Sequence, residues 1–199
     1  MLASVIAVAL IIERLMMLRK EKIVPAGLLA KVVNAYRQQG VNPQMLEHLA
    51  QDSPLGQVLA AGLRNHNSSR YVMKEAIDEA GHAVSHDLDR FLTTLGTLAT
   101  IAPLMGLFGT VVGMIEIFGS QSPSGTNPQV LAHGISVALY NTALGLVIAI
   151  PAMIFYRHFR AKVESFLVDM EQQASTLVDL IHGERLDFDA EPQQAPRRA

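Results

Sequence analysis

Residues 102–114 read APLMGLFGTVVGM, and they lie inside the stretch of sequence that decides the fold. From Phe91 to Ile115, 25 residues pass without a charged side chain. As an α-helix this run would extend over roughly 37 Å, which exceeds the ~30 Å hydrocarbon core of a bilayer. A second run, from Val130 to Tyr156, contains no Asp, Glu, Lys or Arg. Both runs therefore predict helices that span a membrane.

The composition of the whole chain agrees with this interpretation. Half of the 199 residues are apolar, 17% are charged and the mean hydropathy is +0.26, which is more apolar than an ordinary soluble domain of this length. The formal net charge is −2, so the chain has no overall positive field to attract nucleic acid. Cysteine is absent, which excludes disulfides, thiolate metal sites and cysteine nucleophiles.

The N-terminal segment is apolar but short. Residues 1–12 fall below the ~20 that a full span needs, and Glu13 and Arg14 follow them directly. A signal peptide would carry its positive charges before the apolar run rather than after it. We therefore expect residues 1–18 to be the cytoplasmic part of a first span that is shortened at its N-terminus.

Positive charges predict the orientation of the spans. Lysine and arginine follow the first and the last apolar runs, whereas residues 119–129, between the two long runs, contain neither. Because cytoplasmic loops are enriched in these residues, we expect the N-terminus outside and the C-terminus in the cytoplasm. The cations that carry this argument are Arg14, Arg19, Lys20, Lys22, Arg157, Arg160 and Lys162.

Together these patterns predict an all-α, polytopic membrane protein with three transmembrane helices that are extended by long cytoplasmic helices. The expected segments are a first span at 1–18, a cytoplasmic helical segment at 19–90, a second span at 91–118, an outer loop at 119–129, a third span at 130–156, a cytoplasmic helix at 157–183 and a disordered tail at 184–199.

Proline marks the predicted helix starts of the segment 19–90. Pro25, Pro43 and Pro54 each stand at a first helical position, and the last two follow the capping residues Asn42 and Ser53. An amphipathic helix that begins near residue 71 should then run without a break into the second span.

The second span carries glycines at helical spacing. Gly106, Gly109 and Gly113 stand at i, i+3 and i+7, an arrangement that allows another helix backbone to approach closely. Pro103 cannot donate a backbone hydrogen bond and so frees the carbonyl of Ala99, a defect that is tolerated inside a helix bundle or beside trapped water. Plain helix packing would explain such a stripe as well as a functional role would.

The third span repeats this arrangement. Gly145 lies on a face of small residues, Pro151 frees the carbonyl of Val147, and Thr142 places a hydroxyl within the same face. A threonine in a transmembrane helix can also simply bond back to its own backbone.

Neither span has a titratable side chain at its centre, although proton relays are normally built on such groups. If the protein conducts protons, a carboxylate must come from another chain, and Thr110 and Thr142 would line its site. His82 and His86 have a spacing compatible with a metal ion, but no matching further ligands stand out. The sequence also lacks a pattern typical of a catalytic nucleophile. We expect no catalytic, cofactor or metal site.

Residues 102–114, together with residues 134–139, 142–152 and 11–15, resemble the transmembrane signatures of the MotA/TolQ/ExbB proton-channel family, and in particular its ExbB-like members. The resemblance covers residues 1–183. It implies a bacterial inner-membrane protein with a periplasmic N-terminus, a homo-oligomeric ring that is typically a pentamer, and a small ExbD- or TolR-like partner whose membrane aspartate takes up the proton. It further implies that Thr110 and Thr142 face the pore, and that a TonB-like protein carries the work to outer-membrane receptors.

Two departures from the family pattern leave the branch open. The first span is short, and Val137 stands where TonB-coupled members often carry a glutamate. A TolQ-like subunit of an envelope-maintenance complex would show the same motifs. In a different class, a non-conducting membrane scaffold could use the small-residue faces only to assemble helices.

Overall fold

The computed structural model describes residues 2–119 and 128–183, and within these residues it contains helices and no β-strand. The prediction of an all-α fold is therefore confirmed. The predicted tail at 184–199 and residues 120–127 of the predicted outer loop lie outside the described residues. In chain order the helices are α1 (Leu2–Met17), α2 (Lys20–Ile23), α3 (Leu28–Gln39), α4 (Pro43–Asp52), α5 (Pro54–Arg64), α6 (Arg70–Asp89), α7 (Leu92–Gly119) and α8 (Pro128–Ile181).

Two helical stretches are long and apolar enough to cross a membrane. One lies within Arg70–Gly119, which comprises α6 and α7, and the other within Leu131–Ile181 of α8. Helix α1 has 16 residues and would extend over about 24 Å, less than the ~30 Å hydrocarbon core. Length and composition thus support two of the three predicted spans, and the span at the N-terminus remains a prediction.

The chain separates into two compact units. The first unit consists of Met1–Leu18 and Leu88–Lys162, and the second of Arg19–Asp87 and Val163–Ala199. Helices α1 and α7 and the apolar part of α8 therefore belong to the first unit. Helices α2 to α5 and nearly all of α6 belong to the second unit, together with the last part of α8.

In the first unit, α7 and α8 pack side by side in opposite directions. Gly96 lies against Tyr156 near the start of α7, and Gly113 lies against Ala138 farther along it, so the contact runs down α8 as it runs up α7. Helix α1 packs against α7, and its Ala7 is buried. Small side chains at these contacts let the helices approach closely, which is how helices gain van der Waals energy in a membrane.

An arginine of α1 contacts the junction between α6 and α7. Arg14 is 4% exposed, its Nη1 donates to the carbonyl of Leu88 at 3.1 Å, and its guanidinium carbon lies 4.7 Å from the centre of the Phe91 ring. The sequence predicts one continuous helix here, whereas the helix is interrupted at Arg90 and Phe91. The buried guanidinium donates a hydrogen bond to a carbonyl in the last turn of α6, where the regular helical hydrogen bonds of the backbone end.

The second unit begins two of its helices as the sequence predicts. Pro43 and Pro54 are the first residues of α4 and α5, and the side chains of Asn42 and Ser53 accept backbone N–H hydrogen bonds at 3.0 Å and 3.1 Å. These caps satisfy amide groups that have no partner inside the helix. Both predicted helix starts are therefore confirmed.

The prediction for Pro25 is wrong. Pro25 lies in the turn between α2 and α3, where its carbonyl accepts from the amide of Leu28 at 3.3 Å. The residue before α3 is Gly27 with φ of +74°, a left-handed conformation that glycine adopts without strain. The glycine, rather than the proline, decides where this helix starts.

The core of the second unit is centred on α5. Its buried residues include Leu55, Leu59 and Leu63, each fully buried. Helix α6 packs closely against it, since a Cβ at Gly62 would lie 2.9 Å from the Ile77 side chain. These large aliphatic side chains supply the apolar burial that stabilises this part of the chain.

Candidate functional site

The backbones of α7 and α8 approach each other most closely at two glycines. A Cβ at Gly106 would lie 2.8 Å from the carbonyl oxygen of Asn141 and 3.0 Å from the Cα of Thr142. A Cβ at Gly145 would lie 2.6 Å from the carbonyl oxygen of Ala102. At these positions backbone meets backbone, so any side chain larger than hydrogen would force the helices apart.

The contact is looser at the next two glycines of α7. A Cβ at Gly109 would lie 3.2 Å from the Asn141 side chain, and one at Gly113 would lie 3.6 Å from the Cβ of Ala138. The predicted packing glycines therefore differ in what they do: Gly106 and Gly145 are sterically required, whereas Gly113 has room for a methyl group.

Thr142 takes part in this close backbone contact. Its Cα is next to Gly106, and the residue is half-buried. In the part of the chain that the structure describes, its hydroxyl makes no hydrogen bond. A threonine hydroxyl at membrane depth ordinarily bonds back to its own helix, so this free donor and acceptor is available to another group.

Thr110 is placed differently from Thr142. It is half-buried, and its Oγ1 donates to the carbonyl of Leu107 at 2.6 Å. The hydroxyl hydrogen is therefore already bonded within α7. Thr110 borders a shallow apolar depression formed by residues of its own helix, among them Met114 and Phe118. The structure therefore brings Thr142, Gly106 and Gly145 together, and it places Thr110 on the same helix pair without a described hydrogen bond to Thr142.

The two prolines lie inside unbroken helices. Helix α7 continues through Pro103, and α8 continues through Pro151. Because proline has no amide hydrogen, the carbonyls of Ala99 and Val147 lack their usual helical donor. Both helices therefore carry one backbone acceptor that is free to bind water or a neighbouring chain.

A polar face on the first half of α7 was not predicted from the sequence. Thr93, Thr97 and Thr100 are exposed and stand at i, i+4 and i+7, so they share one face of the helix. The Thr97 hydroxyl donates to the carbonyl of Thr93 at 2.8 Å, and the Thr100 hydroxyl donates to that of Thr97 at 2.9 Å. Their spacing is visible in the sequence, and they lie on the side of the helix opposite to the glycines at 106, 109 and 113.

The arginine contacts of the first unit were also not predicted from the sequence. Besides Arg14, Arg160 of α8 forms an ion pair with Asp89 at 3.3 Å, at the same junction of α6 and α7. These partners are separated by 71 residues or more along the chain, and nothing in a local pattern pairs them.

The described middle part of α7 and α8 contains no carboxylate. From Leu92 to Ile115 and from Pro128 to Tyr156 the sequence holds no Asp, Glu, Lys or Arg. Hydroxyl groups can relay a proton but cannot hold its charge near neutral pH. The centres of these helices therefore lack the titratable group that a proton relay needs, since Glu116 lies near the end of α7 and His133 near the start of α8.

Comparison with known proteins identifies close relatives of the chain. The model of the MotA/TolQ/ExbB proton channel family matches residues 50–172. The ExbB-like 3 biopolymer transport protein of Synechocystis is 31% identical over 98% of this chain and 94% of its own length. The biopolymer transport protein exbB1 of Vibrio cholerae is 34% identical over 76% of this chain and 69% of its own. The Tol-Pal system protein TolQ of Pseudomonas aeruginosa is 33% identical over 66% of this chain and 60% of its own.

Proposed function

Because the chain belongs to the MotA/TolQ/ExbB proton channel family, we propose that it is an ExbB-like subunit of a proton-driven complex in the bacterial inner membrane. In this proposal, the complex uses the proton motive force to energise TonB-dependent transport across the outer membrane. A single proton that moves through 100 mV releases about 2.3 kcal/mol, so several protons would drive one large conformational step.

The observation that carries the proposal is the free hydroxyl of Thr142 in a helix pair that has no titratable group at the centre of its apolar runs. A proton path through these helices needs a carboxylate, which we assign to the membrane aspartate of a single-span ExbD- or TolR-like partner. Thr142 would donate to that carboxylate or to its bound water. Thr110, which lies on the other helix of the pair, would border the same path.

A ring of identical subunits would create the space for such a partner. The outward faces of α7 and α8 remain largely exposed in the single chain, and they include the threonine face at Thr93, Thr97 and Thr100. Exposed hydroxyls at membrane depth are better matched by a wet or protein-lined lumen than by lipid. We propose a homo-oligomeric ring, which is a pentamer by analogy with the family. Helices α7 and α8 would face its centre, and a TonB-like protein would receive the work that the complex performs.

The orientation belongs to the same proposal. Positive charges follow α1 and the apolar part of α8, which favours a periplasmic N-terminus and a cytoplasmic C-terminus. Helix α1 would then be the first of three spans, with Arg14 at its cytoplasmic end. Its exposed apolar side chains, such as Val5, Val8 and Ile12, would face lipid.

A second candidate is a TolQ-like subunit of an envelope-maintenance complex. The similarity to TolQ of Pseudomonas aeruginosa is close in identity to the similarity to exbB1, and Val137 does not supply the glutamate of many TonB-coupled members. Both candidates conduct protons with a partner aspartate, and they differ in the protein that receives the work.

The decisive experiment replaces Thr142 by valine. Valine has nearly the shape of threonine and lacks the hydroxyl, so Thr142→Val should preserve assembly with the partner and impair proton-driven uptake. Thr142→Ser keeps the hydroxyl and should retain most activity. Ring assembly, partner co-purification and proton flux in liposomes would be measured for both variants.

The same pair of variants separates the channel from a membrane scaffold. In a scaffold, loss of one intramembrane hydrogen bond costs about 0.6 kcal/mol on average and should leave the assembled protein unchanged. Full proton flux by the valine variant at normal abundance would refute the assignment of Thr142 to the proton path.

A further inference from the structure

A groove in the second unit lies between α5, α6 and the last part of α8. It has a volume of about 370 Å³, and Val58, Ile77 and Met170 form its apolar floor. Each of these three side chains is at most 7% exposed, so the floor is part of the packed core. The groove is thus a fixed surface feature rather than a gap between mobile side chains.

Two carboxylates stand at the rim of this groove. Asp78 on α6 and Glu171 on α8 line it from different helices, and both residues are exposed. Neither has an ion-pair partner in residues 2–119 and 128–183. An apolar floor beneath two unpaired negative charges matches a ligand that is apolar and positively charged, such as the alkyl stem and head group of lysine or arginine.

Gly81 gives an independent reason to expect an occupant. It lines the groove in the interior of α6, where glycine is the least favourable helix residue apart from proline. Gly62 of α5 and Gly106 of α7 are required by close contacts, but a Cβ at Gly81 would have no atom within 4 Å, and its φ is not positive. The packing of this chain therefore does not explain the glycine, and a peptide backbone that approaches the groove would meet no side chain there.

We propose that this groove binds a cytoplasmic peptide segment that carries lysine or arginine beside a large apolar side chain, namely the segment that flanks the membrane span of the single-span partner. The proposal rests on the function proposed above, which supplies such a partner. By the positive-inside rule, the cytoplasmic flank of a single-span protein is enriched in lysine and arginine. That charge complements Asp78 and Glu171, and the apolar neighbour would fill the space over Met170.

The experiment uses the full chain in nanodiscs of zwitterionic lipid, so that the membrane itself does not attract a basic peptide. The probes are two fluorescein-labelled hexapeptides, Lys-Arg-Leu-Phe-Lys-Arg and Glu-Asp-Leu-Phe-Glu-Asp, and binding is followed by fluorescence anisotropy. The basic peptide should bind and the acidic one should not. Binding should weaken at high salt, because the rim charges are exposed and are screened.

Three variants test the groove itself. Asp78→Asn combined with Glu171→Gln should weaken binding roughly 4- to 25-fold, from two exposed ion pairs at about 2- to 5-fold each. Gly81→Leu adds a side chain at a position where a Cβ would meet no atom within 4 Å, and it should weaken binding at least about 10-fold with the helical content unchanged. Glu79→Gln, an exposed position on the same helix outside the groove, is the matched control and should leave binding within about twofold.

Equal binding by the wild type and the groove variants would overturn the proposal, and so would equal binding of the basic and acidic peptides. If Gly81→Leu changes the mass of the assembled protein but not its affinity for the peptide, a second copy of this chain occupies the groove and the proposal is wrong. The proposed function fails separately: absence of proton flux in the wild type with its partner would refute that function, whatever the peptide titration shows.

Discussion

Replacing Gly145 by alanine adds one methyl group at the point where the backbones of α7 and α8 meet. The new carbon would lie 2.6 Å from the carbonyl oxygen of Ala102 and 3.2 Å from the Cα of Gly106. Ordinary van der Waals contacts begin at about 3.4 Å, so the two helices must separate by a large fraction of an ångström. Neither neighbour is a flexible side chain, and the strain cannot be relieved by a rotamer change.

Two opposing effects determine how Gly145→Ala changes the free energy of unfolding. Overpacking of a tight contact costs about 1–3 kcal/mol, while the exchange of glycine for alanine inside a helix returns up to ~1 kcal/mol. We expect Gly145→Ala to lower the free energy of unfolding by about 1–2 kcal/mol, which is roughly a 5- to 30-fold change in the folding equilibrium. Gly113→Ala is the matched control on α7: its methyl carbon would meet Ala138 at 3.6 Å and should leave stability unchanged or slightly raised.

The assay is unfolding of the full chain in detergent micelles by added sodium dodecyl sulfate, followed by circular dichroism. The comparison needs the wild type and the two alanine variants under the same conditions. If both variants lose stability equally, or if Gly145→Ala behaves like the wild type, then α7 and α8 do not pack in the register described above.

Two further predictions concern α1 and the orientation. Arg14→Met should destabilise the chain by about 1–3 kcal/mol in the same unfolding assay, because the Leu88 carbonyl loses its charged donor, and Arg14→Lys should recover part of this loss; a methionine variant as stable as the wild type would contradict the role of this contact. Single cysteines at Ser122 and Ser175 should react with impermeant maleimide from the periplasmic and the cytoplasmic side respectively, and the reverse pattern would refute the proposed orientation.

The features that the sequence predicted are those that a local pattern encodes. The length of the uncharged runs indicated α7 and α8, because a helix in hydrocarbon cannot carry many charges. The pairs Asn42-Pro43 and Ser53-Pro54 indicated two helix starts, because cap and proline act within three residues. The prediction that Pro25 starts a helix was wrong because proline also fits the turn before Gly27.

The features that the sequence could not predict depend on contacts between distant segments. The break between α6 and α7 coincides with Arg14, which stands 74 residues before its acceptor Leu88. The distinction between Gly145, where alanine would clash, and Gly113, where it would not, depends on the register of two helices. The assignment of Thr110 and Thr142 to a proton path stays a prediction, because it depends on a partner carboxylate.

The burial of Arg14 has a consequence for the biogenesis of the protein. A ribosome completes α1 well before it reaches Leu88, so the nascent helix carries a guanidinium whose backbone acceptor and aromatic neighbour have not yet been synthesised. Glu13 is the one contact partner of Arg14 that is already present, at 2.8 Å. Until the junction emerges, water must solvate the rest of the charge. If α1 spans the membrane as proposed above, we expect it to reach its final depth only after residues 88–91 have been synthesised.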